Sequence, residues 1–272
     1  MSRIAETFAR LRAQGRKALI PYITLGFPER ESALELVPTL VEAGADLVEL
    51  GVPFSDPLAD GATIQAASQR ALANGMTPTL ALEQIARLRA QGLTVPFIWM
   101  GYYNPILQMG LEAFAQRAAE ADLDGVIVPD LPPEEADALQ QALQTRGLDL
   151  IFLLAPTSDE TRIREVARRS TGFIYLVSVT GVTGAREHLP PDLPDLVHRV
   201  RRHTDLPLAV GFGISRPEHA AAVGRLADGM IVGSALLRSL AVSEDPVQAA
   251  RRFMRNLRQG LDEGEIPLPF SS

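Results

Sequence analysis

The sequence repeats one pattern along its length, in which a short apolar segment is followed by a longer amphipathic one. The apolar segments are rich in Val, Ile and Leu and almost free of polar residues, which is typical of strands covered on both faces of a sheet. The pattern predicts eight strands, at Ala18–Thr24, Leu47–Leu50, Pro96–Met100, Gly125–Val128, Leu150–Leu154, Phe173–Ser178, Leu208–Gly211 and Gly229–Val232. Eight alternations of strand and helix predict a parallel sheet with right-handed crossovers.

The segments between the strands have helical periodicity. Predicted helices include Thr79–Ala90, Leu111–Ala121, Glu134–Arg146 and Asp159–Arg168. Thr77, before Pro78, has the position of a helix N-cap. Ser215 and Glu218 have the spacing of a capping box that opens the helix after the seventh strand.

The junctions before the strands also resemble one another, because Asp46, Asp124 and Asp228 each end a short loop just before an apolar run. Similar units that turn in the same way, eight of them in 272 residues, predict one (β/α)8 TIM barrel domain over residues 1–272. The amphipathic N-terminal segment is an extra helix. A doubly wound open sheet is the competing fold, but residues 25–28 lack the glycine-rich fingerprint that usually follows its first strand.

Composition excludes several classes of function. With 26 basic and 33 acidic residues, the chain has a net charge of -7, which argues against nucleic-acid binding. The absence of cysteine excludes disulfides, thiolate metal sites and a cysteine nucleophile. None of the four histidines has a partner at metal-ligand spacing, so no metal site is expected. The sequence has no apolar run of signal-peptide or membrane-spanning length, and we expect a soluble, cytoplasmic protein.

The segment after the second strand carries two candidate catalytic carboxylates. Glu49 lies inside an apolar strand, where a carboxylate is costly unless it faces a cavity or a partner. Asp60 follows in a loop rich in proline and glycine, and the two groups could share proton donation and acceptance. Asp56, in the same loop, fits a turn residue as well as a functional one.

A second group of candidates consists of glycines. Gly181 and Gly184 follow the sixth strand, Gly213 follows the seventh, and Gly233 with Ser234 follows the eighth. Backbone N–H groups can approach an anion closely at glycine, and the end of this barrel near the last two strands commonly binds phosphate. These positions therefore predict a phosphate cradle.

The segment from Glu49 to Gly61, together with residues 178–184, 211–214 and 233–234, resembles the tryptophan synthase alpha chain family over residues 8–261. The resemblance implies a (β/α)8 barrel that cleaves indole-3-glycerol phosphate to indole and glyceraldehyde 3-phosphate. It implies that Glu49 and Asp60 are the catalytic pair. It places the substrate's phosphate at Gly184, Gly213, Gly233 and Ser234, and the indole near Tyr22, Met100, Ile127 and Tyr175.

The same resemblance implies an alpha2-beta2 heterotetramer with a tryptophan synthase beta chain, and pyridoxal phosphate only in that partner. Many members have Phe, Leu and Arg where this chain has Tyr22, Met100 and Val179. The long connection Val179–Pro191 is predicted to be a lid in which Thr183 supports Asp60.

The chemistry of the residues agrees with this function. Breaking a carbon–carbon bond needs an electron sink, usually a lysine imine or a metal. Lys17 is the only lysine, and it precedes the first strand, at the wrong end of the barrel. An indole protonated at C3 accepts these electrons itself. Carboxyl groups that move protons are therefore enough for the reaction, and no cofactor is expected. Two alternatives stay open, namely an isomerase of an amino-aldose phosphate and an inactive barrel that only activates a partner.

Overall fold

Nine parallel strands form a nearly closed barrel in the computed structural model, which describes residues 1–177, 191–211 and 213–263. The strands are β1 Ala18–Thr24, β2 Val48–Gly51, β3 Phe97–Met100, β4 Gly125–Ile127, β5 Asp149–Ile151, β6 Leu153–Leu154, β7 Ile174–Val177, β8 Leu208–Gly211 and β9 Gly229–Val232. Their order in the sheet is β5-β4-β3-β2-β1-β9-β8-β7-β6. The predicted barrel is therefore confirmed.

Helices follow the strands around the outside of the barrel. In the described ranges they are α1 Arg3–Ala13, α2 Ala33–Glu42, α3 Ala62–Ala73, α4 Pro78–Ala90, α5 Tyr103–Met109, α6 Leu111–Glu120, α7 Asp137–Gln144, α8 Glu160–Arg169, α9 Leu193–Arg201, α10 Pro217–Gly224, α11 Ser234–Ala241 and α12 Pro246–Glu263. No helix in this part of the chain is long and apolar enough to cross a membrane. The cytoplasmic location stays a prediction.

The predicted fifth strand, Leu150–Leu154, is two short strands instead of one. β5 pairs with β4, and β6 pairs with β7, so the two halves of the segment lie at opposite edges of the sheet. Phe152 lies between them, and its carbonyl accepts a hydrogen bond of 3.1 Å from the backbone N–H of Tyr175. The strands of a barrel are tilted and staggered, which explains why the lower and upper parts of one segment meet different neighbours.

Alternate residues of the strands point into the barrel, and α1 closes its lower end. Ile4, Phe8 and Leu11 of α1 are buried in one cluster with inward-facing strand residues. The ring of Phe8 lies 5.7 Å from that of Phe173, centroid to centroid. The predicted N-terminal helix therefore fills the end of the barrel opposite the strand C-termini.

The repeated acidic junctions have the same structure at three places. Asp46, Asp124 and Asp228 each accept a hydrogen bond from a backbone N–H at or next to the start of a neighbouring strand, at 3.0, 2.7 and 2.8 Å. Each is also paired with an arginine, namely Arg258, Arg89 and Arg201. These carboxylates therefore tie adjacent units together at the lower end of the barrel.

Helix ends agree only partly with the sequence signals. The Thr77 hydroxyl accepts from the Leu80 N–H at 3.2 Å and caps α4 as predicted. The capping box at Ser215 is wrong, because Pro217 takes the first helical position and makes Arg216 the N-cap.

The predicted helix Glu134–Arg146 is also wrong at its start. Pro133–Glu135 forms a separate 3-10 turn, and α7 begins only at Asp137.

Candidate active site

Glu49 lies on β2 with its side chain inside the barrel. It is in register with Tyr22 on β1 and with Ile98 on β3. The residue is 1% exposed, and neither carboxylate oxygen has a hydrogen-bond partner among the described residues. Burial, followed by the nearby charge of Asp60, raises the pKa of Glu49 to about 8. The group is therefore a carboxylic acid at neutral pH, which can give a proton to a bound molecule.

Asp60 lies in the loop between β2 and α3, and a tyrosine supports it. Its backbone N–H donates to the Pro57 carbonyl at 3.0 Å, which forms a tight turn. Burial raises the pKa of the Asp60 carboxyl to about 6, and the hydroxyl of Tyr102 opposes this by hydrogen bonding to the ionised form. The N–H of Ala59 donates to the Tyr102 oxygen at 3.0 Å, so this tyrosine also holds the loop backbone.

The two carboxyl groups thus differ in protonation. Between about pH 6 and pH 8, Asp60 carries a negative charge while Glu49 keeps its proton. Environments that separate the pKa values of two neighbouring acids create a donor and an acceptor from the same functional group. The pair can therefore move a proton onto one atom of a substrate and stabilise positive charge on another.

The predicted phosphate residues meet at the same end of the barrel, where strands end and helices begin. Gly213 follows β8, is exposed and has φ +56°, a conformation that favours glycine. Gly233 precedes α11 and Ser234 is its first residue, and no side chain caps this helix. A helix start of this kind presents N–H groups to an anion. Gly184 lies outside the described residues, as do Thr183 and nearly all of the predicted lid.

The predicted indole residues lie inside the barrel below this opening. Ile127 and Tyr175 belong to the inner cluster, and Met100 packs against it. Tyr22 is 6% exposed and faces the Glu49 position on the neighbouring strand. These four side chains line the barrel interior, and the charges of Glu49 and Asp60 act on the phenol groups of both tyrosines.

Two glycines at strand ends leave room for the rings of these tyrosines. A Cβ on Gly51 would overlap the hydroxyl and ring of Tyr22, and a Cβ on Gly211 would overlap those of Tyr175. Each glycine is the last residue of its strand, so a sequence signal existed, but only the tertiary contact shows what it serves. The support of Asp60 by Tyr102 was also not predicted from the sequence, which shows only that Tyr102 lies shortly after the end of β3.

Comparison with known proteins agrees with this geometry. The family model described as "Tryptophan synthase alpha chain" matches residues 8–264. This chain belongs to the tryptophan synthase alpha chain family.

Relatives of that family match over almost their whole length. The tryptophan synthase alpha chain of Chloroflexus aurantiacus is 57% identical over 259 residues, which covers 94% of this chain and 97% of the relative. That of Dehalococcoides mccartyi is 52% identical over 262 residues, covering 96% and 100%.

Solved structures of the family share the fold. The alpha chain from Legionella pneumophila superposes with a TM-score of 0.89 at 40% identity, covering 97% of this chain and 98% of that one. A chain of tryptophan synthase from Mycobacterium tuberculosis gives a TM-score of 0.89 at 38% identity, covering 96% and 98%. The barrel is therefore that of tryptophan synthase alpha chains.

Proposed function

We propose that this chain cleaves indole-3-glycerol phosphate to indole and glyceraldehyde 3-phosphate, with Glu49 and Asp60 as its proton-transfer groups. Membership of the family supports the reaction. The observation that carries the assignment of residues is the buried, protonated Glu49 beside the more exposed, ionised Asp60. An acid and a carboxylate of this kind are what a retro-aldol cleavage needs when the substrate supplies the electron sink.

The reaction proceeds in two proton transfers. The Glu49 carboxyl first protonates indole C3, and the ring nitrogen becomes positively charged. Asp60 accepts a hydrogen bond from the ring N–H and stabilises that charge. The Glu49 carboxylate then takes the proton of the side-chain hydroxyl next to C3. The oxygen forms the carbonyl of glyceraldehyde 3-phosphate, and the electrons of the broken carbon–carbon bond restore the aromatic indole.

In this proposal the phosphate of the substrate binds at Gly213, Gly233 and Ser234, and also at Gly184, which lies outside the described residues. Tyr22, Met100, Ile127 and Tyr175 hold the indole ring. The start of α11 supplies N–H donors and the positive end of a helix dipole, so a lysine is not required.

The proposal also includes a partner. The chain acts with a tryptophan synthase beta chain in an alpha2-beta2 assembly, and pyridoxal phosphate belongs to that beta chain. The reaction above needs no cofactor in the alpha chain, because the protonated indole accepts the electrons. Exposed apolar residues of the β2–α3 loop, among them the 93% exposed Leu58, support docking at the open end of the barrel.

The decisive experiment compares the wild-type chain with Glu49→Gln in an assay of glyceraldehyde 3-phosphate release. We expect the variant to bind substrate but to lose at least about 99% of turnover, in keeping with the contribution of a positioned acid. Glu83→Gln on α4, an exposed carboxylate outside the site, should keep full activity.

The same assay separates the alternatives. A wild-type chain that isomerises an amino-aldose phosphate and does not cleave the indole substrate would be a different phosphosugar enzyme. A wild-type chain without turnover, alone or with a beta chain, would be an inactive activating subunit. More than a tenth of wild-type turnover in Glu49→Gln would refute the role of Glu49.

A further inference from the structure

The start of α3 lies directly after Asp60, and the joint between the loop and this helix has no side-chain cap. α3 begins at Ala62, only two residues beyond Asp60. Its N-cap is Gly61, which has no side chain that could accept a hydrogen bond from the first turn. Glycine also leaves the backbone free to adopt other conformations. A contact other than a cap must therefore hold the loop that carries Asp60 against the helix.

Gln65, the fourth residue of α3, makes this contact. Its side-chain amide donates a hydrogen bond of 2.9 Å to the backbone carbonyl of Asp60 and a longer one of 3.4 Å to that of Pro57. Helical side chains lean towards the N-terminus of their helix, so Gln65 reaches back over the first turn to the loop. The two acceptors belong to the two ends of the turn that the Asp60 N–H closes onto Pro57 at 3.0 Å. The Gln65 amide therefore joins both ends of this turn to α3.

α3 is in turn held by α11, the helix at the proposed phosphate cradle. The guanidinium of Arg238 donates a hydrogen bond of 3.3 Å to the hydroxyl of Thr63. Arg238 lies one turn after Ser234 on α11, and Thr63 lies two residues before Gln65 on α3. A continuous series of hydrogen bonds thus runs from α11 through the start of α3 to the backbone of Asp60.

We propose that Gln65 is a positioning residue that fixes the backbone of Asp60, and that Arg238 holds α3 in place for this purpose. The N–H of Ala59 is bound by Tyr102 and the carbonyl of Asp60 by Gln65, so the peptide groups on both sides of Asp60 are held. A misplacement of a catalytic group by about 1 Å can cost about a hundredfold in rate, which is why such holding matters. The catalytic part of this inference rests on the proposed function, whereas the hydrogen bonds do not.

Gln65→Met tests the proposal, because methionine has a similar length and no hydrogen-bond donor. We expect kcat to fall about tenfold through misplacement of Asp60, while the Kd for glycerol phosphate changes less than about twofold, since the phosphate residues are untouched. Gln69→Met is the matched control. Gln69 lies one turn further along α3 and is exposed, so this variant should keep full activity.

Thr63→Val tests the connection to α11, because valine keeps the shape of threonine and lacks the hydroxyl. We expect kcat to fall about threefold, and Thr63→Ser, which keeps the hydroxyl, should restore most of this loss. In a Gln65→Met background, Thr63→Val should have little further effect, since both residues act on Asp60 through the same helix start. A wild-type kcat in Thr63→Val would overturn the part of the proposal that concerns Arg238.

Amide hydrogen exchange followed by NMR gives a readout that needs no turnover. The Asp60 N–H should exchange about tenfold faster in Gln65→Met than in the wild type, because the turn opens more often. The N–H of Met76, which donates to the Ala71 carbonyl at the other end of α3, should keep its rate.

Unchanged exchange at Asp60, an equal loss of activity in Gln69→Met, or a rise of the glycerol phosphate Kd without a fall of kcat would overturn the proposal. A wild-type chain that does not cleave the indole substrate would refute the proposed function instead. The exchange rate at Asp60 would then still decide whether Gln65 holds the loop.

Discussion

At the scale of single residues, Glu49 shows how a fold changes the chemistry of a common side chain. A glutamate in water is ionised at neutral pH, whereas this one is enclosed by strands and has no hydrogen-bond partner in the described part of the chain. The carboxyl group accordingly stays protonated, since burial disfavours its charge. The sequence marked Glu49 as a candidate because a carboxylate inside an apolar strand cannot be explained as a turn residue.

The buried carboxyl of Glu49 should reduce the stability of the protein as the pH rises. Its folded pKa, about 8, exceeds the ordinary value of 4.5, so the unfolded chain loses the proton first. The contribution of the protonated Glu49 carboxyl to the free energy of unfolding is complete below about pH 4.5, and it is lost as the pH rises towards 8. From pH 5 to pH 8, the wild type should therefore lose on the order of 3 kcal/mol of unfolding free energy relative to Glu49→Gln.

Urea denaturation at pH 5, 6, 7 and 8 measures this difference. Glu83→Gln serves as the control, because it makes the same substitution at an exposed carboxyl on α4, outside the barrel interior. A pH-independent difference for Glu49→Gln would mean that the Glu49 carboxyl is ionised in the folded state.

At the scale of elements, the open start of α11 and the end of β8 form the phosphate cradle of the proposal. No side chain caps α11, and Gly213, which follows β8, adopts a left-handed backbone conformation. Local sequence patterns predicted these glycines as the phosphate site, and that assignment stays a prediction. The same kind of pattern failed at α10, where Ser215 and Glu218 had capping spacing but Pro217 set the helix start one residue later.

Gly213→Asp should weaken phosphate binding by charge repulsion at α11. We expect the Kd for glycerol phosphate, measured by calorimetry, to rise at least about tenfold. Gly213→Asn is the matched control, because Asn has the same shape and tolerates positive φ equally well but carries no charge. Equal affinities of the Asp and Asn variants would place the phosphate elsewhere.

At the scale of the whole molecule, the two ends of the barrel have different tasks. The lower end is closed by α1 and tied by the aspartate–arginine pairs of Asp46, Asp124 and Asp228. The upper end carries the two carboxylates, the proposed phosphate cradle and the exposed Leu58. This division is usual for the fold, in which one face provides stability and the other function.

The proposed beta chain should bind at the upper end. Size-exclusion chromatography at micromolar concentration should show the chain co-eluting with a cognate beta chain. Leu58→Asp should weaken this complex about tenfold or more, because it places a charge in an apolar contact. Val242→Asp is the control, since Val242 is similarly exposed, at 86%, but lies at the far end of α11. Equal effects of the two changes, or no co-elution of the wild type, would contradict the proposed interface.

Sequence alone determined the barrel and all but one of its predicted strands, and it marked Glu49 and Asp60 as candidates, because apolar runs, helical periodicity and a charged residue within a strand are local properties of the chain. Only the tertiary structure decided what depends on distant segments. It split the fifth strand at Phe152, since the stagger of a closed barrel gives each half a different neighbour. It brought Tyr102 to Asp60, and it passed the Tyr22 ring over Gly51. Contacts of this kind join residues whose distance along the sequence does not predict that they meet. They set the protonation of Glu49 and Asp60 through burial and neighbouring charge, which arise only once the barrel has closed.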